Sequence, residues 1–313
     1  METARNGLLE ANKFLRLKGK QEFFCVELVG IQHFVTFQNG SYTVKADKIL
    51  TGLRNTDLII IPPVQTDLQT GLKDNRMFLP WIKEQYHKGA EVASLCLGAF
   101  ILGMTGLLNG KRCVTHWKAS AQFTKLFPNV LLEPENLLTD DAGIYTGGGA
   151  FSSANLVLYL IEKYINRETA IYCSKIFQID MGRNSQSEFI IFTGQKDHSD
   201  KEIKEIQEFL EMNYAQKLIV NELCERFYMV RRTLERRFKL ATGNTVLEYI
   251  QRIRVEAAKR QLEHSRKTIN EVMYEVGYSD PKSFREVFRK YSGLGPLEYK
   301  NKYQPSSALE LEI

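Results

Sequence analysis

Residues able to do chemistry gather at one thiol and in two arginine-rich stretches. Cys96 closes the apolar run Val92-Ala-Ser-Leu-Cys96, and Leu97 and Gly98 follow before an apolar helical pattern begins. A cysteine at the end of a buried strand, just ahead of a helix and with a small residue two positions on, has the spacing of a nucleophile elbow. The turn would lift the side chain above the sheet, Gly98 would let other backbone pass close, and the helix N-terminus would favour the thiolate. The same spacing also describes a small cysteine that only packs. His116, in Thr115-His116-Trp117, is either a base for this thiol or a hydrogen-bonded structural residue. Thr146-Gly147-Gly148-Gly149 either presents backbone N–H groups to an anion or carboxylate, or is a tight strand-to-helix turn. Cys96, His116, Gly147, Gly148 and Gly149 are therefore the candidate ligand-binding residues. No catalytic residue, metal site or cofactor is assigned.

The arginine-rich stretches lie between Leu218 and Tyr303. Thr268 with Glu271 forms a T-x-x-E capping box, so a helix is expected from Ile269 to Val276, ended by Gly277. Asp280-Pro281 opens the next helix, where Phe284, Val287, Phe288 and Tyr291 make one apolar face. Its other face holds Lys282, Ser283, Arg285, Glu286 and Arg289. An earlier pair repeats the design, with helices over Leu218–Phe227 and Arg231–Leu240. There Leu234 and Phe238 face inward, and Arg231, Arg232, Glu235, Arg236 and Lys239 face out. Thr245 and Glu248 cap a connecting helix over Val246–Glu263, whose Leu247, Ile250, Ile253, Ala257 and Leu262 are expected to pack. Two helix-turn-helix units with polar, basic fronts suit entry into the major groove of double-stranded DNA.

Charge supports that placement. Residues 226–302 hold eighteen Lys and Arg against nine Asp and Glu, whereas residues 196–225 hold four against eight. The whole chain, at 313 residues and a net charge of +5, would not point to nucleic acid by itself. The five cysteines (Cys25, Cys96, Cys113, Cys173 and Cys224) are odd in number, scattered and free of any C-x-x-C. They argue for a reducing compartment and against disulfides or zinc. The N-terminus has no apolar signal core. The uncharged run Val92–Gly110 is broken by Ser94, Gly98, Gly103, Thr105, Gly106 and Asn109, so it reads as strand, turn and helix and not as a membrane span. A cytoplasmic protein without membrane contact is expected.

The elements that must position Cys96 alternate along the first half. A helix is expected over Met1–Leu17 and β-rich segments over Phe23–Val29, His33–Gln38 and Tyr42–Lys45. Strands follow at Leu58–Ile61, Glu91–Leu95, Arg112–Thr115, Val130–Leu132 and Ile144–Tyr145. Helices are expected from Asn75 or Arg76 to Lys88 and over Ala99–Leu107, Lys118–Phe127, Ser153–Asn166 and Glu168–Asp180. This alternation predicts an α/β doubly wound, flavodoxin-like sheet. Residues 1–182 form that domain, 183–199 a linker, 200–303 an all-α domain opened by a Ser199-x-x-Glu202 cap, and 304–313 a tail.

Two resemblances cover the two parts. Arg232-Thr-Leu-Glu-Arg-Arg-Phe-Lys-x3-Gly243, Glu248-Tyr-Ile-x-Arg-x-Arg254, Gly277-Tyr-Ser-Asp-x2-Ser-Phe-x3-Phe-x-Lys290 and Gly293-x-Gly-Pro-x2-Tyr299 resemble the AraC/XylS-type DNA-binding domain. One departure is Phe227-Tyr-Met-Val230, where that family commonly has a turn glycine and a serine N-cap. This turn is either less rigid or closed by packing. Ala93-Ser-Leu-Cys-Leu-Gly-Ala-Phe-x-Leu-x3-Gly-Leu-Leu-Asn-Gly-Lys-Arg112, Thr115-His116-Trp117, Trp81 and Thr146-Gly-Gly-Gly149 resemble the class I glutamine-amidotransferase-like (PfpI-type) domain of GlxA-type regulators. The resemblance implies a transcription regulator, a homodimer, and a small nitrogen-containing effector near Cys96. Hydrolytic relatives have a histidine directly after the cysteine, where this chain has Leu97, so no enzyme activity is expected. The alternative is a thiol-dependent hydrolase or deglycase-like enzyme using Cys96 with an attached DNA-binding module. The resembled fold also opens on a central strand ahead of its first helix, whereas this chain opens inside that helix. The first strand is therefore expected to be missing, or the true start lies upstream.

Overall fold

The parallel strands Leu58–Ile61, Glu91–Leu95 and Ile144–Gly147, side by side in that order, make the centre of the first of two units, residues 1–186 and 187–313. The computed structural model describes residues 2–304 except 38–39, 54, 65–66 and 150. Gln38 and all but the first residue of the expected tail thus lie outside the described residues. The chain enters through helix α1 (Glu2–Leu17) and passes short strands β1 (Val29–Gly30), β2 (Phe34–Phe37), β3 (Tyr42–Lys45) and β4 (Lys48–Ile49). Then come β5 (Leu58–Ile61), α2 (Leu68–Asp74), α3 (Phe78–His87), β6 (Glu91–Leu95), α4 (Gly98–Met104), β7 (Arg112–Cys113) and α5 (Ser120–Leu126). The unit continues with β8 (Leu131–Leu132), β9 (Leu138–Asp141), β10 (Ile144–Gly147), α6 (Ser153–Tyr164) and α7 (Arg167–Phe177).

The main sheet runs β5-β6-β10-β9, with β5, β6 and β10 parallel and β9 antiparallel at the edge. Its central strands β6 and β10 are buried on both faces because helices cover both. Strand period two sends Ile59, Ile61, Val92 and Ile144 to one layer, with Ile82, Phe100, Leu102 and Phe123. The alternate residues Ala93, Leu95 and Tyr145 pack with Leu8, Leu156, Leu160 and Ala170 on the other. The predicted α/β sheet is present, with two additions. Helix α2 and strand β9 were not anticipated, since Leu138-Thr-Asp-Asp141 carries too little apolar pattern to announce a strand. Among the described residues β5 is an edge strand, and α1 packs on the face covered by α6 and α7.

Three other expectations are corrected. Phe23–Val29 is not a strand beyond Val29, because the Asn12 side chain takes up its backbone groups. Phe23 and Phe24 N–H donate to Asn12 Oδ1 at 3.0 Å, and Asn12 Nδ2 donates to the Phe24 carbonyl at 2.7 Å. Val130–Leu132 forms β8, which pairs with β7 outside the main sheet. The N-cap ahead of residue 201 is Asp200, accepting from Ile203 N–H at 3.2 Å, and not Ser199.

The second unit is helical: α8 (Lys201–Asn213), α9 (Val220–Arg226), α10 (Arg231–Thr242), α11 (Val246–His264), α12 (Ile269–Glu275), α13 (Pro281–Ser292) and α14 (Pro296–Tyr303). Helix α11 rises roughly 28 Å and serves two cores. Val246, Tyr249 and Ile250 join Ile206, Leu223, Leu234 and Phe238; Val255, Ala258 and Leu262 join Val272, Phe284, Phe288 and Tyr299. Leu247, expected to pack, is instead 61% exposed, and Tyr249 fills that role. Residues 187–189 lie inside this unit, against α13, so the expected linker is divided between the two units: Ser187 Cβ is 3.4 Å from where a Cβ on Gly293 would stand. Lys259 Nζ donates to the Ile190 carbonyl at 2.7 Å and strengthens that attachment.

Candidate nucleic-acid interface and ligand site

Each helix-turn-helix unit is built from a capped or anchored helix whose back is buried. In the second unit both capping-box hydrogen bonds of Thr268 and Glu271 are made, and Asp280 accepts from Ser283 N–H at 2.7 Å. Phe284 and Phe288 hold α13 by its back, leaving Lys282, Ser283, Arg285, Glu286 and Arg289 exposed as expected. Arg289 lies 3.7 Å from Glu298, whereas Lys282 and Arg285 have no ion-pair partner among the described residues.

In the first unit Leu234 and Phe238 are fully buried behind α10. Of its exposed front, Arg231 is drawn to Glu235 at 2.9 Å and Lys239 lies 3.6 Å from Glu248. Arg232 and Arg236 have no partner among the described residues. The neighbouring Arg237 does something different. Its guanidinium clasps both Asp200 oxygens, at 2.9 and 2.6 Å, and also reaches Glu202, tying α10 to the start of α8. Arg237 holds the Asp200 carboxyl below its usual range. The first turn lacks both glycine and side-chain cap, as read from the sequence, and is closed by backbone bonds and by Phe227, whose ring meets Phe209 at 5.8 Å.

In the first unit of the chain, Cys96 sits at φ +54°, the left-handed conformation of a sharp strand-to-helix turn. Gly98 is required there: a Cβ would stand 2.6 Å from the Ile61 carbonyl oxygen and 2.7 Å from that of Pro62. Cys96 is 5% exposed, and burial pushes its thiol pKa up, against the expected effect of the helix start. His116 is shifted the other way, first by burial and then by Lys118. Its Nδ1 accepts from Lys118 N–H at 3.1 Å, which leaves the proton of the neutral ring on Nε2. Burial thus acts on both groups in the direction of the uncharged form, the thiol for Cys96 and the neutral ring for His116.

The glycines do not form an open row of donors. Gly147 is the last residue of β10, and Gly148 N–H is spent on the Leu137 carbonyl at 2.9 Å. The anion-cradle reading of Gly148 is corrected accordingly. Gly148 instead makes room for Gln186, whose Oε1 would be 2.8 Å from a Cβ at that position. A Cβ on Gly149 would meet Ser152 Oγ at 3.7 Å, His116 Cδ2 at 3.9 Å and Gln186 Oε1 at 4.0 Å, so these groups converge around Gly149.

A model of the DJ-1/PfpI family matches residues 15–163, and a model described as a helix-turn-helix domain matches residues 223–302. HTH-type transcriptional regulator GbdR of Pseudomonas aeruginosa is 25% identical over 224 residues, which are 71% of this chain and 61% of GbdR. The regulators ArgR and CdhR of the same organism are 26% and 24% identical, over 73% and 82% of this chain and 70% and 75% of their own lengths. The chain joins a DJ-1/PfpI-family domain to a helix-turn-helix domain of AraC type. The alignment to GbdR thus leaves more than a third of that relative unmatched.

Gln186, at the end of the DJ-1/PfpI half, escaped sequence reading. It is 1% exposed, and its amide N–H groups donate to the Thr115 carbonyl at 3.1 Å and the Pro134 carbonyl at 2.8 Å. Those two acceptors fix the amide orientation, since a flip would face oxygen to oxygen. Its Oε1 is left buried and unpaired. Ser153 Oγ, 2% exposed, is unpaired too. No local pattern marks a glutamine at the end of a domain; only the fold brings it to Gly148. An open cleft of about 680 Å³, lined by Asn55, Asp57, Lys88, Glu91 and Tyr164, lies at the amino ends of β5 and β6, at the other end of the sheet from Cys96. Among the described residues no helix is long and apolar enough to cross a membrane, and no group of three metal-ligating side chains occurs.

Proposed function

We propose that the chain is a sequence-specific DNA-binding transcription regulator whose DJ-1/PfpI half binds a small-molecule effector. The observation that carries the first part is the paired design of α10 and α13. Each is fixed by a buried aromatic back, and each presents cations, Arg232 and Arg236 or Lys282 and Arg285, that none of the described residues engages. Such cations suit guanine edges and phosphates. Enrichment of one motif from a random duplex pool by the full chain tests this reading; a pool that emerges without sequence bias refutes it.

The effector site of this reading is the cluster around Gly149. Gln186 Oε1 asks for a hydrogen-bond donor and His116 Nε2–H for an acceptor, so the effector carries both. A nitrogen-containing metabolite fits. The route to the DNA-binding half is covalent: Gln186 is followed directly by Ser187, in the segment packed against α13 within the second unit. A homodimer belongs to the same reading, with the exposed Phe34 and Tyr42 of the β2–β3 ribbon as apolar surface for a second copy.

A further inference from the structure

The two helix-turn-helix turns each hold one residue in the left-handed region, Tyr228 at φ +50° and Gly277 at φ +88°. In the second turn only glycine fits. A Cβ at Gly277 would stand 2.6 Å from the Ala215 carbonyl oxygen and 3.0 Å from the Arg254 guanidinium. In the first turn a tyrosine adopts that conformation, which residues with a Cβ enter against steric resistance. The backbone there is pinned, since Tyr228 N–H donates to the Glu225 carbonyl at 3.3 Å and Met229 N–H to that of Cys224 at 2.9 Å. The side chain gains nothing from the described residues in return. It is 97% exposed and has no hydrogen bond or ring contact among the described residues. Val230 beside it is 74% exposed and begins α10 without a side-chain cap. Strain with no internal compensation points to an external contact.

We propose that Tyr228 is a DNA-backbone contact of the first helix-turn-helix unit. Its ring packs along the sugar-phosphate chain, and its hydroxyl donates to a phosphate oxygen beside the groove that α10 enters. The partner is indicated by the charge that follows. Arg231, Arg232 and Arg236, three to eight residues beyond Tyr228, are exposed, and they draw a polyanion to the face of the helix that this turn opens. Tyrosine is among the side chains that bond phosphate oxygens and so fix register without reading sequence. A neutral phenol displaces no counterion, which separates its contribution from that of the arginines. This inference rests on the DNA-binding reading above.

The test compares Tyr228→Gly and Tyr228→Phe with the unaltered full chain. Fluorescence anisotropy is measured on a random-sequence duplex of about three helical turns over a range of salt, alongside thermal unfolding. Tyr228→Gly is expected to raise the unfolding midpoint while weakening binding roughly five- to tenfold, with the salt slope unchanged. Tyr228→Phe should lose less affinity and gain no stability. Equal affinity of Tyr228→Gly and the unaltered chain overturns the proposal. So does a loss seen only on a selected operator and not on the random duplex, since that would place the ring against a base. If the unaltered chain itself does not bind the duplex, the DNA-binding reading fails first, and the two failures are told apart.

Discussion

Arg236 and Arg237 are adjacent in sequence and should respond to alanine in opposite ways. Arg236 is exposed with no partner among the described residues, so Arg236→Ala should leave stability within about 0.5 kcal/mol. If it reads a base edge, as its place on the front of α10 implies, operator binding should weaken by roughly 1–3 kcal/mol, about 5- to 150-fold. Arg237 is engaged inside the unit. Its side chain is 29% exposed and its partner Asp200, which also caps α8, is 23% exposed. A bidentate pair in that setting, screened by the nearby solvent, contributes about 1 kcal/mol. Arg237→Ala should therefore lower stability by that amount and change DNA affinity far less than Arg236→Ala. The pH dependence follows from the lowered Asp200 pKa. This contribution is complete above the unfolded aspartate value of about 3.9 and is lost as pH falls through the lower folded value. Urea unfolding at pH 7 and in acid, with anisotropy on the selected operator, measures all three quantities. Equal losses of affinity for the two variants would refute the division of roles.

Three further outcomes are expected. Gly277→Ala, at φ +88° and with its Cβ 2.6 Å from a backbone oxygen, should cost about 2 kcal/mol or more in urea unfolding, whereas Gly243→Ala, strained at φ +71° but with nothing within 4 Å, should cost less. Because burial raises the Cys96 pKa, iodoacetamide should modify Cys96 more slowly than the exposed Cys25 at neutral pH, and the Cys96 rate should keep rising as pH passes 9; rapid modification of Cys96 at pH 7, read by peptide mass spectrometry, would revive the thiol-enzyme alternative. Gly148→Ala, which drives a methyl group into the Gln186 amide, should abolish any thermal stabilisation by an effector found in a metabolite screen while leaving random-duplex binding intact.

Much of the helix-turn-helix half was legible from the sequence because its signals are local. Capping boxes act over three residues, Asp-Pro starts a helix within two, and the apolar face of α13 repeats every three or four positions. The structure places Thr245, Thr268 and Asp280 as caps and Phe284 and Phe288 as anchors. The cap at Ser199 failed for the same local reason, since Asp200 one residue on is as good an acceptor and the Arg237 guanidinium on α10 holds it. In the DJ-1/PfpI half, β5 and β6 were visible as continuous apolar runs. Strand β9 was not, because a polar edge strand is defined by the neighbour it bonds and not by its own residues.

The sequence by itself determined which side chains form the exposed basic fronts of α10 and α13 and that Cys96 stands in a strand-to-helix elbow, because residue type, charge and short-range spacing settle both. Only the tertiary structure decided which of those side chains are free to act. Burial pushed the Cys96 thiol pKa up, Asp200 holds Arg237 beside the basic front, and the strand-end turn brought Gln186 onto Gly148 with an unpaired acceptor. Each of these is a contact between residues more than thirty positions apart or a loss of water. Neither is written in local sequence.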